Sequence, residues 1–129
     1  MNELDEIQFE KDMIDLLKEK TKANVVGSYP ENKPTFPLIV TSLNVEPRQY
    51  DISKNVIKEH LRLTIRMWHT SKTNLITMKK QAEKCLLEYG FTRSVPTDIV
   101  KDNTNEKFYM LEEFNLTFNN ITNRFERSL

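Results

Sequence analysis

The 129-residue chain contains only two glycines and one cysteine, and each scarcity excludes a class of site. Phosphate-binding loops of the Walker or dinucleotide type need closely spaced glycines, whereas Gly27 and Gly90 lie far apart. A single cysteine permits no intrachain disulfide and suits a reducing compartment. Cys85 falls at helical spacing from Ala82, which predicts a small buried side chain rather than a reactive thiol.

The chain also lacks an excess of charge of either sign. Nineteen basic residues balance nineteen acidic ones, so no long-range field draws the protein to nucleic acid or to an anionic membrane. The longest basic run, Lys79-Lys80, has Glu83 and Lys84 at pairing distance and is interpreted as a solvated helix face. We therefore expect no sequence-specific nucleic-acid partner.

Long apolar runs are missing as well. Residues 1–10 are acidic and have no apolar segment of the secretory type, and no window approaches the roughly 18 consecutive apolar residues of a membrane span. We expect a protein of the cytoplasm that has no membrane partner.

Residues suited to catalysis or metal binding are scattered. His60 and His69 lie on one predicted strand but on opposite faces, roughly 30 Å apart, so they cannot share a metal. Asp98 and Asp102 lie in a loop without histidine or cysteine ligands beside them. No serine lies in a Gly-x-Ser-x-Gly turn. The sequence predicts no catalytic residue, no metal site and no cofactor.

Alternation of apolar and polar residues is the strongest pattern that the chain does contain. It runs from His60 to Met67 and again from Phe108 to Phe118, which predicts two strands with one buried face each. Glu112 interrupts the second row, which suggests a bulge or an exposed strand end. Packing against helices, rather than stacking of bases, accounts for the phenylalanines. The apolar rows are Leu61, Leu63, Ile65 and Met67, and Phe108, Met110, Phe114, Leu116 and Phe118.

Other segments predict further strands. Asn24 to Tyr29 is short and rich in β-branched residues, and Phe36 to Val45 carries apolar residues on both faces. Two-sided burial, or a bulge near Ser42, would explain the second of these. Pro37 cannot donate a ladder hydrogen bond, which places the beginning of that strand at an edge or outside the ladder. Thr92 to Val100 is interpreted as a short strand leading into a loop.

Two segments show the helical period. Residues 3–20 should form a helix that packs on the sheet of its own domain, the alternative being docking on another subunit. The second helix begins after Thr70-Ser71 and ends at Gly90, with Phe91 folding back on the last turn. The apolar stripes are Leu4, Ile7, Met13, Ile14 and Leu17, and Leu75, Met78, Ala82, Cys85 or Leu86, and Tyr89.

These elements predict an α+β domain spanning residues 1–129. Its mixed or antiparallel sheet of about four to five strands should pack against an N-terminal helix and one central helix. Residues 119–129, in which Ile121 and Phe125 stand amid polar residues, are a candidate C-terminal arm.

A polar connection between Glu46 and Lys58 exceeds the usual length of a hairpin loop, and such loops are often functional. The alternative is that both strands simply continue. Because it carries residue types favoured at contacts and can order on meeting a partner, we expect an interface here. The candidate interface residues are Arg48, Gln49, Tyr50, Asp51, Ile52 and Ser53. Second choices, from the loop 98–106 and the closing segment, are Asp98, Asp102, Asn103, Asn105, Arg124 and Phe125.

The order of elements resembles the tail terminator family of long-tailed bacteriophages, also called tail completion or head-to-tail joining proteins. The features that carry the resemblance are an N-terminal helix, the segment Pro34 to Val40, an alternating strand, a helix ending in Tyr89-Gly90-Phe91-Thr92-Arg93, and the strand Phe108 to Phe118. The resemblance spans most of the chain and transfers regions rather than individual functional residues.

The resemblance implies a structural protein that is largely monomeric when free and forms a hexameric ring on the completed tail tube. That ring ends tube elongation and presents the surface to which the filled head attaches. Implied partners are copies of itself, the tail tube protein and a head connector or stopper protein. The implied location is the tail end or neck of the virion, after assembly in the host cytoplasm, and the protein is not expected to be an enzyme.

Two alternatives stay open. Another neck component, such as a head completion or stopper protein, would share the size and the self-assembly. A small cytosolic enzyme or nucleic-acid-binding regulator on the same scaffold is the alternative from a different class. Head-to-tail closure of a ring requires two different patches on each subunit, and a chain of zero net charge would join them through shape and local polar pairs.

Overall fold

A computed structural model describes residues 4–127, and it shows one sheet with two helices. Residue 3 of the first predicted helix and residues 128–129 of the closing segment lie outside the described residues. The predicted α+β class is confirmed. In chain order the elements are α1 (Glu6–Thr21), β1 (Asn24–Val26), β2 (Leu38–Tyr50), β3 (Val56–His69), α2 (Lys72–Tyr89), β4 (Thr92–Arg93), β5 (Val100–Asp102), β6 (Lys107–Asn119) and β7 (Arg124–Arg127).

The sheet is built on three long antiparallel strands in the order β2-β3-β6, with β1 parallel to β2 at one side. Along the other edge of β6 lie β7, β4 and β5 in turn, and Thr97 hydrogen-bonds Leu111 between the last two. The described residues therefore contain seven strands, more than predicted. The short strands arise where the chain folds back along β6 and satisfies the backbone groups of its edge.

The opposite edge, formed by β2, is covered over a shorter length. Pairing with β1 ends at Val40, and beyond it the N–H of Leu43 donates to the carboxylate of Glu10 on α1. Burial raises the pKa of Glu10 despite that hydrogen bond. Pro37 precedes the strand, as predicted, and its carbonyl accepts the N–H of Asn24. Within residues 4–127, no strand pairs with the outer edge of β2 after Val40.

The helices pack on one face of the long strands, and the two predicted apolar rows form the floor of this core. The packing of α1 on its own sheet is confirmed. Ile7, predicted in the stripe of α1, is instead 84% exposed, because the buried stripe runs through Phe9, Met13 and Leu17. Two-sided burial of β2 is also confirmed, since Ile39 faces the helices while Leu38 lies with Trp68 on the other face. The irregular register of β2 falls after Pro47, so the bulge predicted near Ser42 is wrong.

Both ends of α2 follow the predicted chemistry. The Ser71 hydroxyl accepts the N–H of Asn74 at 3.1 Å and caps the first turn. At the other end, Gly90 has a φ of 127°, and the N–H of the buried Phe91 donates to the carbonyl of Leu86 at 3.1 Å. The strand β3 can therefore pass directly into α2, and α2 into β4.

Replacing Gly90 by alanine should lower the free energy of unfolding by about 1–2 kcal/mol. The cost comes from the backbone, because a Cβ at Gly90 would lie 3.6 Å from Leu116 Cδ1, which is an ordinary contact. Gly27→Ala is the matched control: its Cβ would also meet ordinary contacts, without a positive φ. Chemical denaturation of both variants checks this, and equal stabilities would contradict the assigned role of Gly90.

Candidate interaction surfaces

The β2–β3 hairpin projects beyond the rest of the sheet. Pairing of β3 with β6 begins at Lys58, whereas pairing of β3 with β2 continues to Val56 and Tyr50. Asn120 ties the base of the projection to β6, since its N–H donates to the carbonyl of Ile57 at 2.8 Å and its amide to that of Val56 at 3.0 Å. At the usual rise per residue, the turn of the hairpin lies about 10–15 Å beyond the end of β6.

The turn at the end of this hairpin is held by its own hydrogen bonds. Asp51 Oδ1 accepts the N–H of Asn55 at 2.8 Å, and the Asp51 carbonyl accepts the N–H of Lys54 at 3.0 Å. The backbone hydrogen bond from Asn55 is the largest cause of a lowered Asp51 pKa. The long connection predicted from Glu46 to Lys58 is therefore wrong, and the alternative, in which both strands continue, is confirmed. Only residues 51–55 separate the strands, and the polar strand ends resembled a loop because neither of their faces is deeply buried.

The tip of the hairpin presents apolar side chains to solvent. Tyr50 is 54% exposed and Ile52 is fully exposed, although polar residues surround them in the sequence. All six first-choice interface residues are exposed on this hairpin: Arg48, Gln49, Tyr50, Asp51, Ile52 and Ser53. An exposed tyrosine beside an arginine and an isoleucine has the composition of a contact anchor.

Two second-choice residues are engaged within the chain. Asp102 Oδ2 accepts hydrogen bonds from Asn105 Nδ2 at 2.7 Å and from Trp68 Nε1 at 3.0 Å, and these bonds lower the pKa of Asp102. The amide of Asn105 also donates to the hydroxyl of Tyr29 at 2.8 Å. These contacts hold the loop 98–106 against Trp68 and Tyr29. The other second choices in this loop are exposed: Asp98 and Asn103.

The closing segment contributes a strand to the sheet. Residues 124–127, suggested as part of an arm, form β7 and pair with residues 116–119. Phe125 is half-buried, with its ring centroid 5.0 Å from that of Phe118 and 5.2 Å from that of Phe9. Arg124 remains exposed. The aromatic contacts of Phe125 give this short strand its place against the helices.

Beside Phe125 lies an open groove of about 310 Å³, here called the aromatic groove. Its apolar lining comes from four elements or their flanks, and its rim carries Asp5 and Asp12. Burial and the charge of Asp12 raise the pKa of Tyr89, which lies in its wall. The sequence did not reveal this groove because only the fold brings its members together. The apolar members are Leu4, Phe9, Tyr89, Phe118 and Phe125.

Beyond the apolar cluster of Leu38 and Trp68, the sheet face away from the helices is polar, and several of its charges pair with one another. Arg62 lies 3.3 Å from the Glu113 carboxylate and 4.0 Å from that of Glu46. His60 Nε2 and Asn115 Oδ1 lie 2.9 Å apart. Cross-strand pairs of this kind stabilise the sheet modestly and compete with binding of an external charged group.

Two carboxyl groups meet between α2 and β6. Glu112 is fully buried in a continuous register with β3, so the predicted bulge or exposed end is wrong. Glu83, predicted on a solvated face, is 7% exposed and accepts a hydrogen bond from Arg93 at 2.6 Å. Burial opposes ionisation of Glu83, but hydrogen bonds from Glu112 and Arg93 together with nearby positive charges hold its pKa below the ordinary value. Lys79 Nζ lies 3.9 Å from the same carboxylate.

In this pair of carboxyl groups, Glu112 is the one that holds a proton. Its burial and the adjacent Glu83 carboxylate raise the pKa of Glu112 to about 8. Among residues 4–127, neither oxygen of Glu112 has a hydrogen-bond donor when both carboxyl groups are ionised. Protonated Glu112 can instead donate to Glu83, which satisfies both side chains. The sequence showed only an acid in an apolar row, without its partner.

Residues 4–127 contain no group of three histidine, cysteine, aspartate or glutamate side chains placed to hold a metal ion. Their helices include none that has the length and apolarity to cross a membrane. The single thiol, Cys85, is buried, and its burial raises its pKa to about 11.

The sequence matches no protein-family model, and no curated protein is significantly similar to it.

Stability should depend on the proton held by Glu112. Because the folded-state pKa of about 8 is above the ordinary 4.5, protonated Glu112 stabilises the fold at low pH. That contribution is lost as the pH rises through about 8. Between pH 6 and 9 the free energy of unfolding should fall by about 2–3 kcal/mol.

Glu112→Gln should remove most of this pH dependence, since glutamine can donate to Glu83 but has no proton to lose. The control is Glu113→Gln, which removes a carboxylate from the other face of the same strand and should leave the slope in place. Urea denaturation from pH 6 to 9 measures both variants. A wild-type stability that rises over this range would disprove the protonated pair.

Proposed function

We propose that this protein is a tail terminator of a long-tailed bacteriophage. In this role it caps the tail tube, ends tube elongation and forms the interface for head attachment. It works as a structural protein of the virion, through contacts with its own copies, with the tail tube protein and with a head connector or stopper. It is not an enzyme in this proposal.

The observation that carries the proposal is the β2–β3 hairpin. A protein that caps a tube as a ring benefits from a contact surface that exists before it meets its neighbour in the ring or the tube, because ordering a loop on binding costs affinity. The hydrogen bonds of Asp51 hold this hairpin in shape, and Tyr50 and Ile52 stand exposed at its tip. The order of elements that resembles tail terminators supports the same function.

The distribution of charge supports a role for surfaces rather than for a reactive centre. The strongly perturbed carboxyl pair of Glu83 and Glu112 is buried between α2 and β6, where it suits a role within the core. The exposed apolar side chains, in contrast, include the hairpin tip. Assembly by shape and local contacts is compatible with a formal net charge of zero.

Tyr50→Ser combined with Ile52→Ser should leave the fold intact and weaken capping of purified tail tubes by about tenfold or more. Both side chains are exposed, so their loss should scarcely affect the core. Tube length after polymerisation in the presence of the protein, read by electron microscopy, measures capping. Circular dichroism confirms folding.

Val95→Ser is the matched control, because Val95 is 93% exposed and lies away from the hairpin in the chain. It should cap like the wild type. Normal capping by the hairpin variant would refute the role of the tip. Copurification with DNA-filled heads, but not with tail tubes, would identify another neck component and refute the proposal itself.

A further inference from the structure

We infer that the tip of the hairpin, residues 48–54, docks in the aromatic groove of a neighbouring copy of the chain. The contact is head-to-tail, because the tip and the groove are different patches of the same subunit. The inference rests on the proposed function for the ring that repeated contacts would build, but the contact itself requires only two copies.

The two patches are complementary in charge. Arg48 and Lys54 flank the apolar tip, while Asp5 and Asp12 stand at the rim of the groove. Among the described residues that line the groove, none is basic. Asp51 within the tip stays ionised, because the hydrogen bonds from Asn55 lower its pKa, but the two basic side chains outweigh its charge. A positively flanked tip therefore meets a negative rim.

The patches are also complementary in their apolar chemistry. The tip offers one aromatic and one aliphatic side chain, Tyr50 at 54% and Ile52 at full exposure. The groove offers the ring of Tyr89, which is 42% exposed, and the half-buried ring of Phe125, which packs on the buried rings of Phe9 and Phe118. Tyr50 can pack edge-to-face against these rings, and Ile52 is removed from water on docking. Both effects make the free energy of binding more favourable.

The positions of the patches suit a closed ring. In the order β2-β3-β6-β7, the hairpin belongs to one lateral side of the sheet and Phe125 to the other. Both lie at the same end along the strands, since Lys58 at the base of the hairpin pairs with Asn119, next to Phe118 of the groove. Rotation about an axis keeps contacts at one height, so laterally opposed patches at one end can join neighbours into a ring.

Cysteine cross-linking tests the contact directly. Ile52→Cys places a thiol at the tip, and Asn123→Cys places one in the wall of the groove. The two single variants, purified separately and mixed in the presence of oxidised glutathione, should give a disulfide-linked dimer that contains one of each. The native Cys85 contributes little background, because it is buried and its burial raises its pKa to about 11. The control pair, Val95→Cys with Asn123→Cys, should give at least about fivefold less of the mixed dimer.

A charge exchange tests the pairing of patches independently. Arg48→Glu and Asp12→Arg should each weaken self-association by about twofold to fivefold, as expected for exposed charge pairs. The double variant should recover most of the wild-type affinity, because the opposite charges again face each other. Sedimentation velocity over a range of protein concentrations measures these affinities.

The outcomes separate this inference from the proposed function. Mixed dimers no more abundant than in the control pair, or a double variant no better than the single ones, would overturn the docking contact. If the groove thiol cross-links to tail tube protein instead, the groove belongs to the tube contact and the inference falls while the function stands. Specific cross-linking between copies, in a protein that fails to cap tubes, would support the contact and refute the function.

Discussion

The pairing of β3 on both of its edges is the constraint on which the rest of the structure depends. β3 lies between β2 and β6, and a shift of one residue in either register would turn its apolar row away from the helices. Leu61, Leu63 and Ile65 are fully buried in the register that exists. With that row in place, α1 and α2 share one face of the sheet, and β3 is free to continue past the core as half of the hairpin.

The hairpin and the core are thus built from the same two strands, β2 and β3, but different interactions stabilise these strands in the two places. Where β2 and β3 lie above the helices, burial of apolar side chains stabilises them. Beyond Lys58 the pair is held by cross-strand hydrogen bonds, by Asn120 at the base and by Asp51 in the turn. An exposed surface built on continuous strands is positioned by the core itself, which is more rigid than a loop would be.

The sequence predicted those features whose causes lie within a short window. The alternating rows, the cap at Ser71 and the left-handed Gly90 depend on neighbours a few residues away, and the structure has all of them. The hairpin ends were missed because strands without a buried face carry no alternation. Glu112 was misplaced because its partner, Glu83, lies on another element, and the aromatic groove draws on several elements for the same reason.

The two long edges of the sheet differ in how well they are protected from pairing with the sheet of another molecule. Three short strands close the edge along β6, whereas the edge along β2 beyond Val40 is covered in part by a side chain, Glu10. Pro47 and its charged neighbours on that edge discourage the addition of a foreign strand. If such protection fails, two molecules can join through their open edges, but the resulting pair presents only short, interrupted strands on both outer sides. Association of native sheets through their edges therefore stops at a dimer and does not propagate into a fibre.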